Sequence, residues 1–189
     1  MFKIKTLLLL IIAACSFAAC TTAPAYDKAA QLAIDDDLIL KYIDSVNKVA
    51  VGTAKITALK TLDGLYYQIY DGGKGSSATY EQTDTIRMRY TGSTIKQLLY
   101  DMTPVVTDDL VPKIVFGSAI EGLQKGLKLI QPGGHIRLII PSTMAYQNRV
   151  IPAIQQSNRL PSFLPANSIL DFDIQLIEVK KYVPIVQPK

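Results

Sequence analysis

Apolar and polar positions follow two different periods along this chain. In LILKYIDSV, Ile39, Tyr42, Ile43 and Val46 fall at i, i+3, i+4 and i+7, which predicts a helix with one apolar face. Asp35, Asp36 and Asp37 stand just before it and suit an N-cap and first turn, where free N–H groups and the helix dipole attract acids. Asn47 to Asp63 reads as a less regular connector, and from Gly64 onward the period is two. LYYQIYD is aromatic and β-prone, and the turn-rich DGGKGSSATYEQ follows it. In DTIRMRYTG, Ile86, Met88 and Tyr90 face one way and Arg87 and Arg89 the other. KQLLYD and LVPKIVFG predict two shorter strands. HIRLIIP sets Ile136, Leu138 and Ile140 against His135, Arg137 and Ile139, the second group on the solvent side. SILDFDIQL sets Ser168, Leu170, Phe172, Ile174 and Leu176 against Asp171, Asp173 and Gln175. A single helical stretch interrupts the strands, EGLQKGLKLI at 121–130, stopped by Pro132-Gly133-Gly134. Strands with one apolar and one polar face imply an antiparallel sheet, wet on one side and covered by the helix on the other, hence an α+β domain.

The N-terminus follows other rules. MFKIK is a short basic head, and TLLLLIIAACSFAAC is an apolar run too short for a comfortable membrane span, ending in small residues before a cysteine. This is the form of a signal peptide, and the cysteine gives it the form of a bacterial lipoprotein signal. Ile12-Ala13-Ala14-Cys15 follows that pattern more strictly; Phe17-Ala18-Ala19-Cys20 gives a more usual signal length and leaves the polar TTAPAYDK behind it. Cys20 is preferred over Cys15 as the lipidation site, with an ordinary secretory peptide or an uncleaved anchor as alternatives. A chain matured at Cys20 keeps one of its 2 cysteines and forms no internal disulfide. Acylation would also remove the reactivity of an exposed thiol. The expected division is 1–19 signal, 20–63 tether and N-terminal helical segment, 64–183 folded domain and 184–189 tail. The expected location is the cell envelope, lipid-anchored to the outer membrane and facing the periplasm.

Charge adds little. Lys and Arg number 20 against 16 Asp and Glu, for a net +4, and Lys3 and Lys5 belong to the leader. The basic residues are scattered, with no aromatic-interleaved patch, so nucleic acid is not an expected partner. Chemistry is excluded more firmly. The chain has 1 His, so neither zinc ligation nor a Ser-His-Asp hydrolase is well supplied, and the nucleophile elbow G-x-S-x-G is missing. His135 alternates with core positions on the solvent side of its strand. Asp108-Asp109 and Asp171/Asp173 read most simply as solvated faces, and the Asp triplet lacks the spacing and glycine of a calcium loop. No metal and no cofactor is expected.

The order of segments is more informative than any one of them. RMRYTGS, then LLYD, then IVFGSAIEGLQKGLKLIQPGG, then LIIPSTMAYQ, then FLPANSILDFDIQLIEV is a series that closely resembles the FKBP-type peptidyl-prolyl isomerases over roughly residues 64–180. The resemblance implies an FKBP-like twisted antiparallel sheet curled around one short helix, here with an extra N-terminal helix. It also implies a shallow apolar pocket for the proline of an X-Pro bond. Carried over by position, the catalytic wall comprises Tyr90, Tyr100 and Asp101 (where the family has Phe-Asp), Ile120, Tyr146 and Phe172. The Ile120 N–H and the Tyr146 hydroxyl would each bond a substrate carbonyl. Ala119, the floor residue Leu123, Pro112 and Leu164 of FLPANS would contact substrate. Implied partners are proline-containing unfolded or exported proteins, with the membrane reached through the lipid anchor.

Without the motif context, Tyr90, Ile120, Leu123 and Phe172 would pass as core, and Tyr100 and Asp101 as an ordinary strand end. Tyr146 is the strongest functional candidate, since it follows a strand-ending proline in a loop where no core need explains it. Several positions depart from the family pattern. Leu123 stands in place of the floor Trp, Ala119 is smaller than the usual Val, Gln147 replaces a Gly and Ala166 a Pro. These changes reshape the pocket and keep open an FKBP-like chaperone or protein-binding lipoprotein with little isomerase activity. The loop 148–162 is longer than in minimal members and overhangs the pocket in family geometry, where it would select extended protein clients.

Overall fold

The computed structural model describes residues 25–74, 79–152 and 163–184. Both cysteines, the leader, the loop residues 153–162 and most of the C-terminal tail lie outside these.

The first element is a long helix, α1 (Lys28–Val49). Its cap is Asp27, whose carboxyl accepts from the N–H groups of Ala29 and Ala30 at 3.0 Å each. The Asp triplet is therefore not a cap: it sits mid-helix, a correction to the sequence expectation. The acids have other partners. Asp37 pairs with Lys41 at 2.6 Å on the exposed side, as Asp44 does with Lys48 at 2.7 Å. Each such i,i+4 pair contributes a few tenths of a kcal/mol. Asp36 accepts from the Tyr66 hydroxyl at 2.5 Å and pairs with Lys60. Asp35 is fully buried.

The strands are β1 (Leu59–Lys60), β2 (Tyr66–Asp71), β3 (Thr85–Thr94), β4 (Leu99–Met102), β5 (Ile114–Val115), β6 (His135–Ile140) and β7 (Leu170–Lys180). Among the described residues they form one antiparallel sheet in the order β1-β2-β6-β7-β3-β4, with β5 paired to β3. KQLLYD and LVPKIVFG thus contribute shorter strands than the sequence suggests, and Ser168 stands before β7, where its hydroxyl donates to the Pro165 carbonyl at 2.7 Å. The predicted helix is α2 (Glu121–Leu127). It lies against β6 through Gly122 and Gly126, where a Cβ would strike Ile140 and Leu138. Leu123 and Leu127 enter the main core beside Leu65, Ile86, Met88, Phe116, Ile136, Leu170, Phe172, Ile174 and Leu176.

The other sheet face is only partly wet. α1 covers it with Ile39, which buries against Ile56, Tyr66, Ile139 and Ile169, with Tyr42, Ile43 and Val46 packed at the edge. The predicted apolar face of this helix is therefore the buried one. Burying one such aliphatic side chain stabilises by about 1.5–3 kcal/mol. Two further expectations change. Ile139, expected on the solvent side of β6, is 1% exposed beneath the helix. Asp171, expected in a solvated face, is buried, because Arg137 bonds it with two nitrogens at 2.9 and 2.6 Å and the Tyr42 hydroxyl donates to it at 2.6 Å. A carboxylate there is stable only because each oxygen has donors.

Candidate functional site

Between the inner sheet face and the N-terminal end of α2 lies a cavity of about 160 Å3 lined by Met88, Tyr90, Asp101, Ile114, Ser118, Ala119, Ile120, Leu123, Tyr146 and Phe172. Strand alternation delivers the β3 side: Met88 and Tyr90 point inward while Arg87 and Arg89 point out to Glu178 and Asp108. On β7, Phe172 stands opposite Gly92 in the β3 register, and its ring reaches to 5.9 Å from that of Tyr90, tilted by 54°. Gly92 permits this, since a Cβ there would strike the Phe172 ring. Asp101 faces Gly92 from β4. Its carboxyl accepts from the Tyr90 hydroxyl at 2.7 Å and from the Met102 N–H at 3.0 Å, which fixes the Tyr90 ring in the wall.

Ala119 and Ile120 follow a short turn, Phe116–Ser118, anchored by the fully buried Phe116. Ile120 is the N-cap of α2: its carbonyl accepts from Gln124 N–H at 3.1 Å, while its own N–H precedes the helix and has no use within it. Leu123, one turn in, is 8% exposed and forms an aliphatic floor. Tyr146 arrives by a different route. Pro141 ends β6, Ser142–Met144 form a tight turn, and the half-buried Tyr146 follows. Gln147 then takes φ 57, the left-handed conformation that a glycine adopts without strain.

Of the residues singled out in the sequence, Tyr90, Asp101, Ala119, Ile120, Leu123, Tyr146 and Phe172 are brought together in this cavity. Tyr100 lies in β4, where the pairing with β3 slips; its side chain falls outside the described residues. Pro112 is exposed and lines an adjoining hollow with Met102, Thr103 and Pro104 rather than the cavity. Leu164 is 0% exposed, a core residue bridged by its backbone to Ile151, so its side chain is closed off from substrate. Sequence reasoning missed Met88, Ile114 and Ser118 as lining residues. Met88 shares an inward face with Tyr90, a signal that was present. Ile114 takes the wall position sought at Pro112, two residues away on the same side of an extended chain. Ser118 carried no signal, since its hydroxyl simply donates to the Val115 carbonyl at 2.7 Å.

His135 lies on the outer sheet face, as its alternation predicts. Its Nε2 is 2.8 Å from Asp173 and its ring centroid 4.6 Å from that of Tyr70. Among the described residues, no cluster of three or more His, Cys, Asp and Glu could hold a metal ion. The cavity offers apolar walls, three aromatic rings, an amide N–H, hydroxyl groups and the Asp101 carboxyl held by Tyr90, a lining suited to binding and orientation.

Comparison with known proteins bears directly on this geometry. The profile of the family described as FKBP-type peptidyl-prolyl cis-trans isomerase matches residues 76–177, more than half of the chain. The peptidyl-prolyl cis-trans isomerase FkpA of Escherichia coli is 34% identical over 128 residues, 67% of this chain and 42% of that protein. FkpA of Buchnera aphidicola is 36% identical over 121 residues, 64% of this chain and 43% of that protein. The chain thus matches less than half the length of these relatives. The crystal structure of Escherichia coli FkpA superposes with a TM-score of 0.55 at 27% identity, covering 94% of this chain and 71% of that one. A peptidyl-prolyl cis-trans isomerase from Pseudomonas syringae pv. tomato shares the fold, with a TM-score of 0.52 at 22% identity over 86% of this chain and 100% of that one. An antiparallel sheet packed on one short helix, the motif series across it and the profile match agree: the chain belongs to the FKBP-type peptidyl-prolyl cis-trans isomerase family.

Proposed function

We propose that this protein accelerates cis/trans rotation of X-Pro bonds in exported or envelope proteins. The observation that carries the reading is the cavity lining, which is apolar apart from Asp101, Ser118 and the tyrosine hydroxyls. Rotation about a peptide bond meets a barrier of about 18–20 kcal/mol because resonance is lost on twisting. For X-Pro both isomers are accessible, yet they exchange over tens of seconds. The twisted amide has less charge separation than the planar one. An apolar enclosure therefore disfavours the planar ground state relative to the transition state, which is differential binding.

In this reading the prolyl ring enters between Tyr90 and Phe172 above Leu123. The Ile120 N–H and the Tyr146 hydroxyl each hold a substrate carbonyl while the bond turns, and no proton changes hands. Residues 64–183 form the catalytic unit, 20–63 a tether and docked helix, and 184–189 a tail. Cys20 anchors the protein to the outer membrane, facing the periplasm; among the described residues no helix is long and apolar enough to cross a membrane. A second reading, a chaperone-like module that binds proline-containing segments with little catalysis, is favoured by Leu123 alone, since an aliphatic floor forgoes aromatic contact with the prolyl ring.

Kinetics of two variants test the site. Tyr146→Phe lowers kcat/KM on X-Pro peptides about 2- to 10-fold, the size of one neutral hydrogen bond. His135→Ala leaves it unchanged. A silent Tyr146→Phe, or a large loss in His135→Ala, contradicts the assignment.

A further inference from the structure

Asp35 is the one acid of the triplet with no exposed surface, and it lies in the middle of a helix that contributes no residue to the cavity lining. As a helix former, Asp is poorer than the alanines and leucines around it, and burying its carboxyl is costly. The groups Asp35 holds are informative. One carboxyl oxygen, Oδ2, accepts from both the backbone N–H and the hydroxyl of Ser142, each at 2.7 Å. The other, Oδ1, accepts from Gln31 Nε2 at 2.8 Å, which fixes the carboxyl from within the same helix. Ser142 is itself fully buried.

Ser142 is the pivot of the turn that delivers Tyr146. Its carbonyl accepts from the Ala145 N–H at 3.0 Å and from the Gln147 N–H at 2.9 Å, the residues on either side of Tyr146. The Gln147 carbonyl in turn accepts from the Asn167 N–H at 2.8 Å. The turn is a strained one: Gln147 sits at φ 57, in the left-handed region, a conformation that needs outside support to persist. A relay of hydrogen bonds thus runs from Asp35, through the N–H, hydroxyl and carbonyl of Ser142, to the two N–H groups that bracket the tyrosine.

We infer that Asp35 of the N-terminal helix is a positioning residue for the isomerase site, setting the placement of the Tyr146 hydroxyl through Ser142. The helix is thereby part of the catalytic apparatus and not only a spacer between the domain and the N-terminus. This rests on the reading of Tyr146 given above. It makes a specific claim about chemical substitution. Because both Ser142 bonds end on one oxygen, an Asn with its carbonyl oxygen in that place retains them, the Gln31 amide turning to present its oxygen. A Leu of similar shape retains neither.

The test is a double-mutant cycle on the full chain, read as kcat/KM for an X-Pro peptide, with Asp35→Leu, Asp35→Asn, Tyr146→Phe and the combination of Asp35→Leu with Tyr146→Phe. Asp35→Leu is expected to cost about fivefold, within the range of one hydrogen bond. Asp35→Asn restores most of that loss, and Asp35→Leu adds little once the Tyr146 hydroxyl is gone, a non-additive pair. Equal losses from Asp35→Leu in both backgrounds mean that Asp35 acts only on stability and overturn the inference, as does full activity in Asp35→Leu. If Asp35→Leu fails to fold, Ser142→Ala, which removes the hydroxyl donor alone, takes its place in the same cycle with the same two outcomes. The backbone amide shifts of Ala145 and Gln147 separate this inference from the reading beneath it. They move in Asp35→Leu and stay near wild type in Asp35→Asn if the linkage holds. Should they move while Tyr146→Phe is kinetically silent, the role given to the hydroxyl fails and the positioning claim for catalysis falls with it; should they stay while Tyr146→Phe is impaired, only the positioning claim fails.

Discussion

The Phe172 ring occupies the space that a side chain at Gly92 would need. Gly92→Ala forces either the ring or the strand to give, and overpacking of this kind costs about 1–3 kcal/mol. Urea unfolding reads the stability loss, and proline-peptide binding should weaken with it because the displaced ring is a cavity wall. At Gln147 the expected effect has the opposite sign. A non-glycine residue in the left-handed region carries about 1–2 kcal/mol of strain. Gln147→Gly should therefore raise the midpoint of unfolding, by an amount reduced by the greater freedom of glycine in the unfolded chain. The sequence showed Gln147 only as a departure from a family glycine; its backbone angle explains the difference, since Gln takes on there the conformation that glycine adopts freely. Leu123 was legible as the floor only through the resemblance, which sets it where the family has Trp; its place in EGLQKGL alone marks it as core. Leu164 was misassigned because a motif neighbour of the pocket need not face it: this residue turns into the core.

At the scale of elements, α1 is held to the sheet and its following turn by an apolar seam and by polar anchors, Asp35 on Ser142, Tyr42 on Asp171, and Asp36 on Tyr66 and Lys60. The second anchor makes a pH prediction. Burial, and then the hydrogen bond to Asp171, push the Tyr42 pKa up from 10.0 to about 12. The neutral phenol is thus favoured in the folded state, while an unfolded tyrosine ionises near pH 10. Its contribution to stability is complete below pH 10 and is lost as pH rises toward about 12. In chemical denaturation across this range, Tyr42→Phe should show a shallower alkaline loss than wild type; equal slopes would contradict the anchor. The neighbouring Arg137 is affected by burial, which favours its neutral form, but Asp171 outweighs this and raises its pKa. Periodicity located α1 and its buried face from Ile39, Tyr42, Ile43 and Val46. It misplaced the helix start, because three acids in a row imitate a cap whereas the actual cap, Asp27, lies in a stretch that reads as tether. Nothing local marks Asp35 as buried, since its partner is 107 positions away in the chain. Ile139 and Asp171 were misread for the same reason: the element that covers them comes from the far end of the sequence.

At the scale of the molecule, the cavity draws on β3, β4, β5, the turn before α2, α2 itself, the loop after β6, and β7. No single motif specifies it, and the ordered series of motifs made most of its residues readable before any coordinates. The sequence carried much less about how the N-terminal helix closes over the outer sheet face and reaches, through Ser142, the loop that holds Tyr146. The central claim is that this assembly turns an X-Pro bond by enclosing it, without acid–base chemistry or a metal. The most direct measurement is exchange NMR on a panel of X-Pro peptides with catalytic amounts of the purified full chain, repeated with chelator and at several pH values. The account predicts cis/trans exchange that becomes faster in proportion to protein concentration, indifferent to chelator and nearly flat across neutral pH. Exchange that stays at the uncatalysed rate for every peptide, while the same peptides bind, would contradict it.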